Sequence, residues 1–192
     1  MTEVTSLTGR LLVATPVLSD PNFDRAVVLL LDHDEEGSLG VVLNRPTPVD
    51  VGDILESWAG LAGEPGVVFQ GGPVSLDAAL GVAVVPSGAE GPEDEGPLGW
   101  RRVHGAIGLV DLEAPPELLA AELGSLRIFA GYAGWGAGQL ENELQEGAWY
   151  VVESEPGDVS SPDPERLWRS VLRRQRSELA MVATYPDDPS LN

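Results

Sequence analysis

The 192-residue chain has no cysteine, no lysine and only two histidines. Without cysteine, disulfides, thiol nucleophiles and thiolate metal sites are excluded together, and nothing demands an oxidising compartment. Without lysine, no residue can play the phosphate-gripping part of a P-loop. The eleven basic residues are all arginine, a bias that fits a GC-rich coding sequence. His33 and His104 fall in separate predicted elements, poor material for a metal site or a catalytic base. His33 reads as an exposed turn residue and His104 as a satisfied structural one. No Gly-x-Ser-x-Gly nucleophile elbow occurs. The most apolar run, Ala26 to Leu31, has six residues, against the roughly 20 of a membrane-spanning helix. The opening "MTEVTSLTGRLLVATP" lacks the basic segment and apolar run of a secretory signal. The expectation is a cytoplasmic protein with no cofactor.

What is abundant is negative charge. Thirty-one acidic residues leave a net charge of -20. Affinity for phosphate backbones comes mainly from basic side chains, so direct nucleic-acid binding is disfavoured, as is adhesion to anionic membranes. Hydrophobic residues at 43% and charged residues at 22% are ordinary for a globular protein. The length suits one well-buried core. A single domain is expected over 1–183, with a disordered tail at 184–192.

Along the chain, "RLLVAT" and "AVVLLL" predict short buried strands. The second pairs with "LGVVLN" across the acidic turn "DHDEEGS", giving a hairpin from Ala26 to Asn44 that Pro46 and Pro48 end. Apolar residues at Val51, Ile54, Leu55, Trp58 and Leu61 predict a helix capped by Asp50. Strands are predicted at "GVVFQ", "ALGVAVV", Trp100–His104, Ala106–Asp111, Leu126–Ala130 and Trp149–Val152. Pro115–Leu123 forms a short helix, and Asp163-Pro164 starts a C-terminal one. Pro86 to Gly99 is a polar loop. Elements in this non-alternating order favour an α+β fold over a doubly wound sheet.

The densest candidate for chemistry is "FAGYAGWGAGQLENEL", Phe129 to Leu144. Its glycines do not fall in the dinucleotide-binding order. With Gly138 as N-cap, Glu141 stands at N3 and can occupy the helix amides itself. Glu141 and Glu143 point about 200° apart on a helix, too divergent for an acid/base pair within it. The segment reads as a strand-to-helix corner. "DHDEEG" imitates the start of a calcium loop, but the twelfth position is Leu43 rather than a bidentate glutamate. Arg166, Arg169, Arg173 and Arg176 form a stripe on the C-terminal helix, opposite its apolar face. Surplus carboxylates are its expected partners.

Three segments in order, "ATPVLSDPNFDRAVVLLLDHDEEGSLGVVLNRP", "QGGPV" and "GYAGWGAGQLENELQEGAW", resemble the AlgH/YqgE family of bacterial proteins. The resemblance implies a single α+β domain: a mostly antiparallel, bifurcated sheet curling into a pseudo-barrel with about four short flanking helices. It brings a proposed role in transcriptional regulation but no agreed catalytic residues. The expectation is therefore a non-enzymatic regulatory or interaction module, touching transcription indirectly and acting through an unknown protein partner or small ligand. The alternative is a ligand-binding protein or enzyme whose site joins Asn44, Arg45, Gly71, Gly72, Tyr132, Trp135, Gln139 and Glu141. There, Arg45 would clamp a carboxylate or phosphate, Asn44 and Gln139 would orient it, and Glu141 would act as base. No metal site and no catalytic residue are assigned.

Overall fold

A computed structural model describes residues 6–16, 18, 20–21, 23–86, 97–175 and 179–184. Most of the predicted Pro86–Gly99 loop, Arg176 and all of the predicted tail except Thr184 lie outside those residues. Ten strands join one sheet. They are β1 (Leu11–Ala14), β2 (Val27–Asp34), β3 (Gly37–Val42), β4 (Pro46–Asp50), β5 (Val67–Gln70), β6 (Val74–Val84), β7 (Trp100–His104), β8 (Ile107–Val110), β9 (Ser125–Gly136) and β10 (Trp149–Val152). The main order is β10-β1-β2-β3-β9-β6-β8-β7, and β4 and β5 branch from it. All pairings are antiparallel except β5 with β9.

Twelve-residue β9 is where the sheet divides. Along one edge it pairs with β6, from Ser125 opposite Val84 to Ala130 opposite Ala79. Along its other edge, Phe129 and Ala130 pair with Phe69 and Gln70 of β5, and Ala133 to Gly136 pair with Gly40 to Gly37 of β3. The first half of the glycine-rich segment, Phe129 to Gly136, is thus strand, and the predicted corner is confined to Ala137 and Gly138. Gly138 adopts a left-handed φ of 75° before α3 (Gln139–Gln145).

Alternation along the strands sorts the apolar residues between two faces. Leu11, Val13, Val27, Leu29, Val41, Phe129 and Val82 point into one shared core, which α5 (Leu167–Arg173) fills with Leu167, Trp168, Val171 and Leu172. Their neighbours Leu12, Val28, Leu30, Val42 and Trp135 form a second core with Leu140 of α3. Val51, Trp58, Ala83, Val110 and Ile128 form a third, under α1 (Val51–Ile54), a 3-10 turn (Glu56–Leu61) and α2 (Glu117–Ala120). One core common to both branches and two separate outer cores describe a sheet curled into a half-barrel around α5.

The curl brings the two ends of the sheet together. Gly9, just before β1, lies so close to His104 at the end of β7 that an added Cβ would sit 2.3 Å from the histidine Cβ. His104, expected to be structural, is exposed and packs against Gly9. α4 (Pro156–Val159) was not predicted; its capping box is formed by Glu155 and Asp158. α6 (Leu179–Val182) completes the helices. Pro46 opens a new strand instead of only ending the old one. β4 has one partner, β5, so prolines on its outer edge interrupt no ladder.

Candidate functional site

Ala130 pairs with Gln70 on one edge of β9 and with Ala79 on the other. Because β5 and the start of β6 lie on opposite edges, Gly71-Gly72-Pro73 must carry the chain across the face of β9. Gly71 marks the split: its amide donates to Ala130 O and its carbonyl accepts from Val42 N, both at 2.8 Å. At Gly72 two backbones cross in contact. A Cβ there would lie 2.2 Å from the carbonyl carbon of Tyr132, so only glycine fits. The Tyr132 side chain packs against the shared core.

A cleft of about 180 Å³ opens beside this crossing, lined by Pro21, Val42, Arg45, Gln70, Gly72 and Pro73. Three separate stretches supply it: the Pro21 loop, the end of β3 with Arg45, and the glycine crossing. Asn44 stands behind it, and both ends of its side chain are committed. Oδ1 accepts from Val27 N at 3.0 Å, and Nδ2 donates to Arg25 O at 2.8 Å. Arg25 has a φ of 57°, a strained value for a residue with a Cβ, and Asn44 holds it there. Its guanidinium lies 4.3 Å from the Trp168 ring centre, which ties the loop to α5. Arg45 Nη2 donates to Asp24 O. Arg45 and Gln70 are joined through their backbones, Gln70 N donating to Arg45 O at 2.8 Å.

Trp135, Gln139 and Glu141 belong to a different neighbourhood, under α3. There the unifying residue is Glu143, absent from the predicted set. Its Oε1 accepts from Trp135 Nε1 at 3.2 Å and Trp149 Nε1 at 3.0 Å, and its Oε2 accepts from Gln139 Nε2 at 3.1 Å. Phe23 completes the aromatic cluster, 6.2 Å from Trp135 and 5.6 Å from Trp149 between ring centres. Gln139 also reaches back, its Oε1 accepting from Gly136 N at 3.0 Å. These side chains hold the strand-to-helix junction together.

Glu141, at N3, occupies one of the free helix amides, its own backbone N–H, and its Oε1 also meets His33 Nε2 at 2.7 Å. This hydrogen bond, and next the glutamate's own backbone amide, hold its carboxyl below the usual range. His33 itself is buried in β2, not exposed in a turn as expected. The register of β2 against β3 slips at Leu31. One extra residue reverses which face the following side chains take, so His33 turns toward α3 rather than the shared core. Since Leu7 N donates to His33 Nδ1 at 2.8 Å, that nitrogen is an acceptor and the ring proton belongs on Nε2. Neither nitrogen is left to accept a proton from a substrate.

A family model described as AlgH-like matches residues 11–180. A UPF0301 protein of Streptomyces avermitilis is 88% identical over 192 residues, covering 100% of this chain and 98% of that protein. One from Thermobifida fusca is 50% identical, covering 97% of this chain and 96% of its own. The chain belongs to the AlgH-like family. Two solved structures share the architecture of this AlgH-like chain. The crystal structure of protein DIP2367 from Corynebacterium diphtheriae superposes with a TM-score of 0.87 at 30% identity, covering 96% of this chain and 95% of that one. The solution structure of the AlgH protein from Pseudomonas aeruginosa gives 0.65 at 26% identity, covering 97% of each.

Two buried ionic features of this AlgH-like chain escaped sequence reasoning. Arg127 on β9 is 2% exposed. Its Nη2 donates to Glu64 O and Ser161 O at 2.9 and 2.8 Å, and its guanidinium lies 4.3 Å from the Phe69 ring centre. Burial alone lowers its pKa to about 10. Asp158 of α4 is 3% exposed and binds both terminal nitrogens of Arg174. That contact is the main cause of a raised Arg174 pKa. An arginine within a strand and an aspartate after Pro-Gly carry no periodic signal. Of the predicted arginine stripe, Arg166 pairs with Asp163 at 3.3 Å and Arg169 donates to Ala183 O. Among the described residues no group of three or more His, Asp or Glu is placed to hold a metal ion, and no helix is long and apolar enough to cross a membrane.

Proposed function

We propose that the chain is a non-enzymatic regulatory or interaction module of the bacterial cytoplasm, which recognises its ligand or partner at the cleft beside the β9 crossing. The observation that carries this reading is a division of labour. His33 and the two glutamates of the glycine-rich segment, Glu141 and Glu143, are committed away from the cleft: His33 to the Leu7 amide and Glu141, and Glu143 to Trp135, Trp149 and Gln139. The cleft is formed where three separate stretches converge, and among the described residues Arg45 is its one charged lining residue. Any influence on transcription is indirect, since a chain of charge -20 lacks a basic face for duplex DNA.

The test compares wild type with Arg45→Glu and with a His33→Gln/Glu141→Gln double variant, each checked for cooperative unfolding. Partners and metabolites retained on the purified protein are identified by mass spectrometry, and duplex binding is measured at physiological salt. A ligand or partner lost in Arg45→Glu and kept in the double variant supports the reading. Tight sequence-selective duplex binding, or turnover of a substrate abolished by the double variant, overturns it.

A further inference from the structure

We propose that the cleft takes a small monocarboxylate with a short aliphatic stem, clamped by Arg45 and Gln70. This rests on the cleft being a recognition site, and adds the chemistry of what it recognises. Arg45 offers five N–H donors, and the bond to the Asp24 carbonyl uses one while fixing the guanidinium in place. A planar fork anchored at one corner suits a planar carboxylate, whose two oxygens can be met bidentately. Gln70, exposed and on the neighbouring strand, adds a carboxamide donor. Its backbone is bonded to Arg45, so the two side chains start from a fixed separation.

Size and charge narrow the ligand further. At about 180 Å³ the cleft is below the approximately 300 Å³ at which pockets for larger organic ligands begin, which favours a ligand of a few heavy atoms over a nucleotide. Pro21 and Pro73 give the cleft a small apolar edge for a stem of a few carbons, Val42 being buried in the second core. Among the described residues Arg45 is the one cation in the lining, so a phosphate dianion would leave a charge unmatched inside the field of a chain of charge -20. One negative charge matches one guanidinium.

The experiment titrates the full-length 15N-labelled chain with butyrate, butyramide and inorganic phosphate, following the amides of Gln70, Gly71 and Gly72 and the Gln70 side-chain NH2. Butyrate is expected to give saturable shifts at these positions that persist at 150 mM chloride. Arg45→Gln should weaken them at least tenfold, and Gln70→Ala less. A dispersed spectrum of each variant shows that it remains folded, and Arg101, on β7, reports nonspecific contact with arginine. If phosphate or butyramide binds the cleft as tightly as butyrate, the carboxylate assignment is wrong while the cleft stands. If none of the three perturbs the cleft, a broader fragment library distinguishes the cases: hits of another class overturn only the carboxylate. Silence from the whole library overturns both the carboxylate and the recognition cleft.

Discussion

His33 and Glu141, 108 positions apart in sequence, share a 2.7 Å hydrogen bond between Nε2 and Oε1 that fastens β2 to α3. The same histidine holds the N-terminal segment. Leu7 N donates to its ring, and its backbone N–H donates to Thr8 Oγ1 at 3.0 Å. The bond favours the charged glutamate, so the folded-state carboxyl titrates below its unfolded value. Its stabilisation is present above the ordinary glutamate pKa of about 4.3 and is lost as pH falls through the lower folded value. Glu141→Gln retains an acceptor and should cost under about 1 kcal/mol at pH 7, the side chain being partly exposed. Urea unfolding at pH 7 and pH 3.5 checks it. The gap between wild type and variant should narrow in acid, and an unchanged gap would show the carboxylate is not linked to folding.

Arg127 is held by two carbonyls and an aromatic face, with Nε and Nη1 unpartnered. A lysine there would keep the buried charge but lose the planar fork and the stacking. A methionine would free the same carbonyls while removing the charge. The expected order of stability is therefore wild type, then Arg127→Met, then the nominally conservative Arg127→Lys, with about 2 kcal/mol or more between wild type and lysine. Equilibrium denaturation of the three proteins gives the order directly, and a lysine variant as stable as wild type would contradict it.

Asp158 and Arg174 join α4 to the end of α5, and Asp158 also accepts from Glu155 N at 2.7 Å. Breaking the pair from the buried side should cost about 3 kcal/mol in Asp158→Ala, since Arg174 loses its main counter-charge. Replacing both residues, as in Asp158→Leu/Arg174→Met, should recover a substantial part of that loss. A double-mutant cycle by thermal and urea unfolding measures the coupling, and simple additivity would refute it.

Gly72→Ala should prevent folding or cost more than about 3 kcal/mol, because the backbone of Tyr132 in its path cannot move without parting β9 from β6. Gly66→Ala is the control, having nothing within 4 Å of its added Cβ. Far-UV circular dichroism and soluble yield of the two variants should diverge.

Much of the architecture was legible from residue patterns. Short apolar runs located β1, β2, β3, β8 and β10, and the acidic turn correctly joined β2 to β3. The resemblance supplied the bifurcated sheet. What pattern could not supply was parity and crossing. The slip at Leu31 reverses the facing of His33, and a bulge depends on the partner strand as much as on its own residues. "QGGP" announces a turn, but that the turn passes over another strand depends on where β5 and β6 dock. The eight candidate site residues were therefore gathered on one expectation and found in three places. Arg45 and Gly72 line the cleft, with Asn44 and Gly71 beside it, Trp135, Gln139 and Glu141 secure α3, and the Tyr132 side chain packs against the shared core.

The pairing of β1 with β10, Leu11 opposite Val152 and Ala14 opposite Trp149, has a consequence for how the chain is made. β1 leaves the ribosome well before one of its two partners, β10, emerges. Until then Leu11 to Ala14, fully buried in the finished protein, have an open ladder edge and no C-terminal helix to cover them. Contacts so distant in sequence close slowly, and unpaired apolar edges invite association with other chains. Completion of this part of the sheet thus waits for β10, and a chain released before Trp149 carries an edge strand it cannot bury.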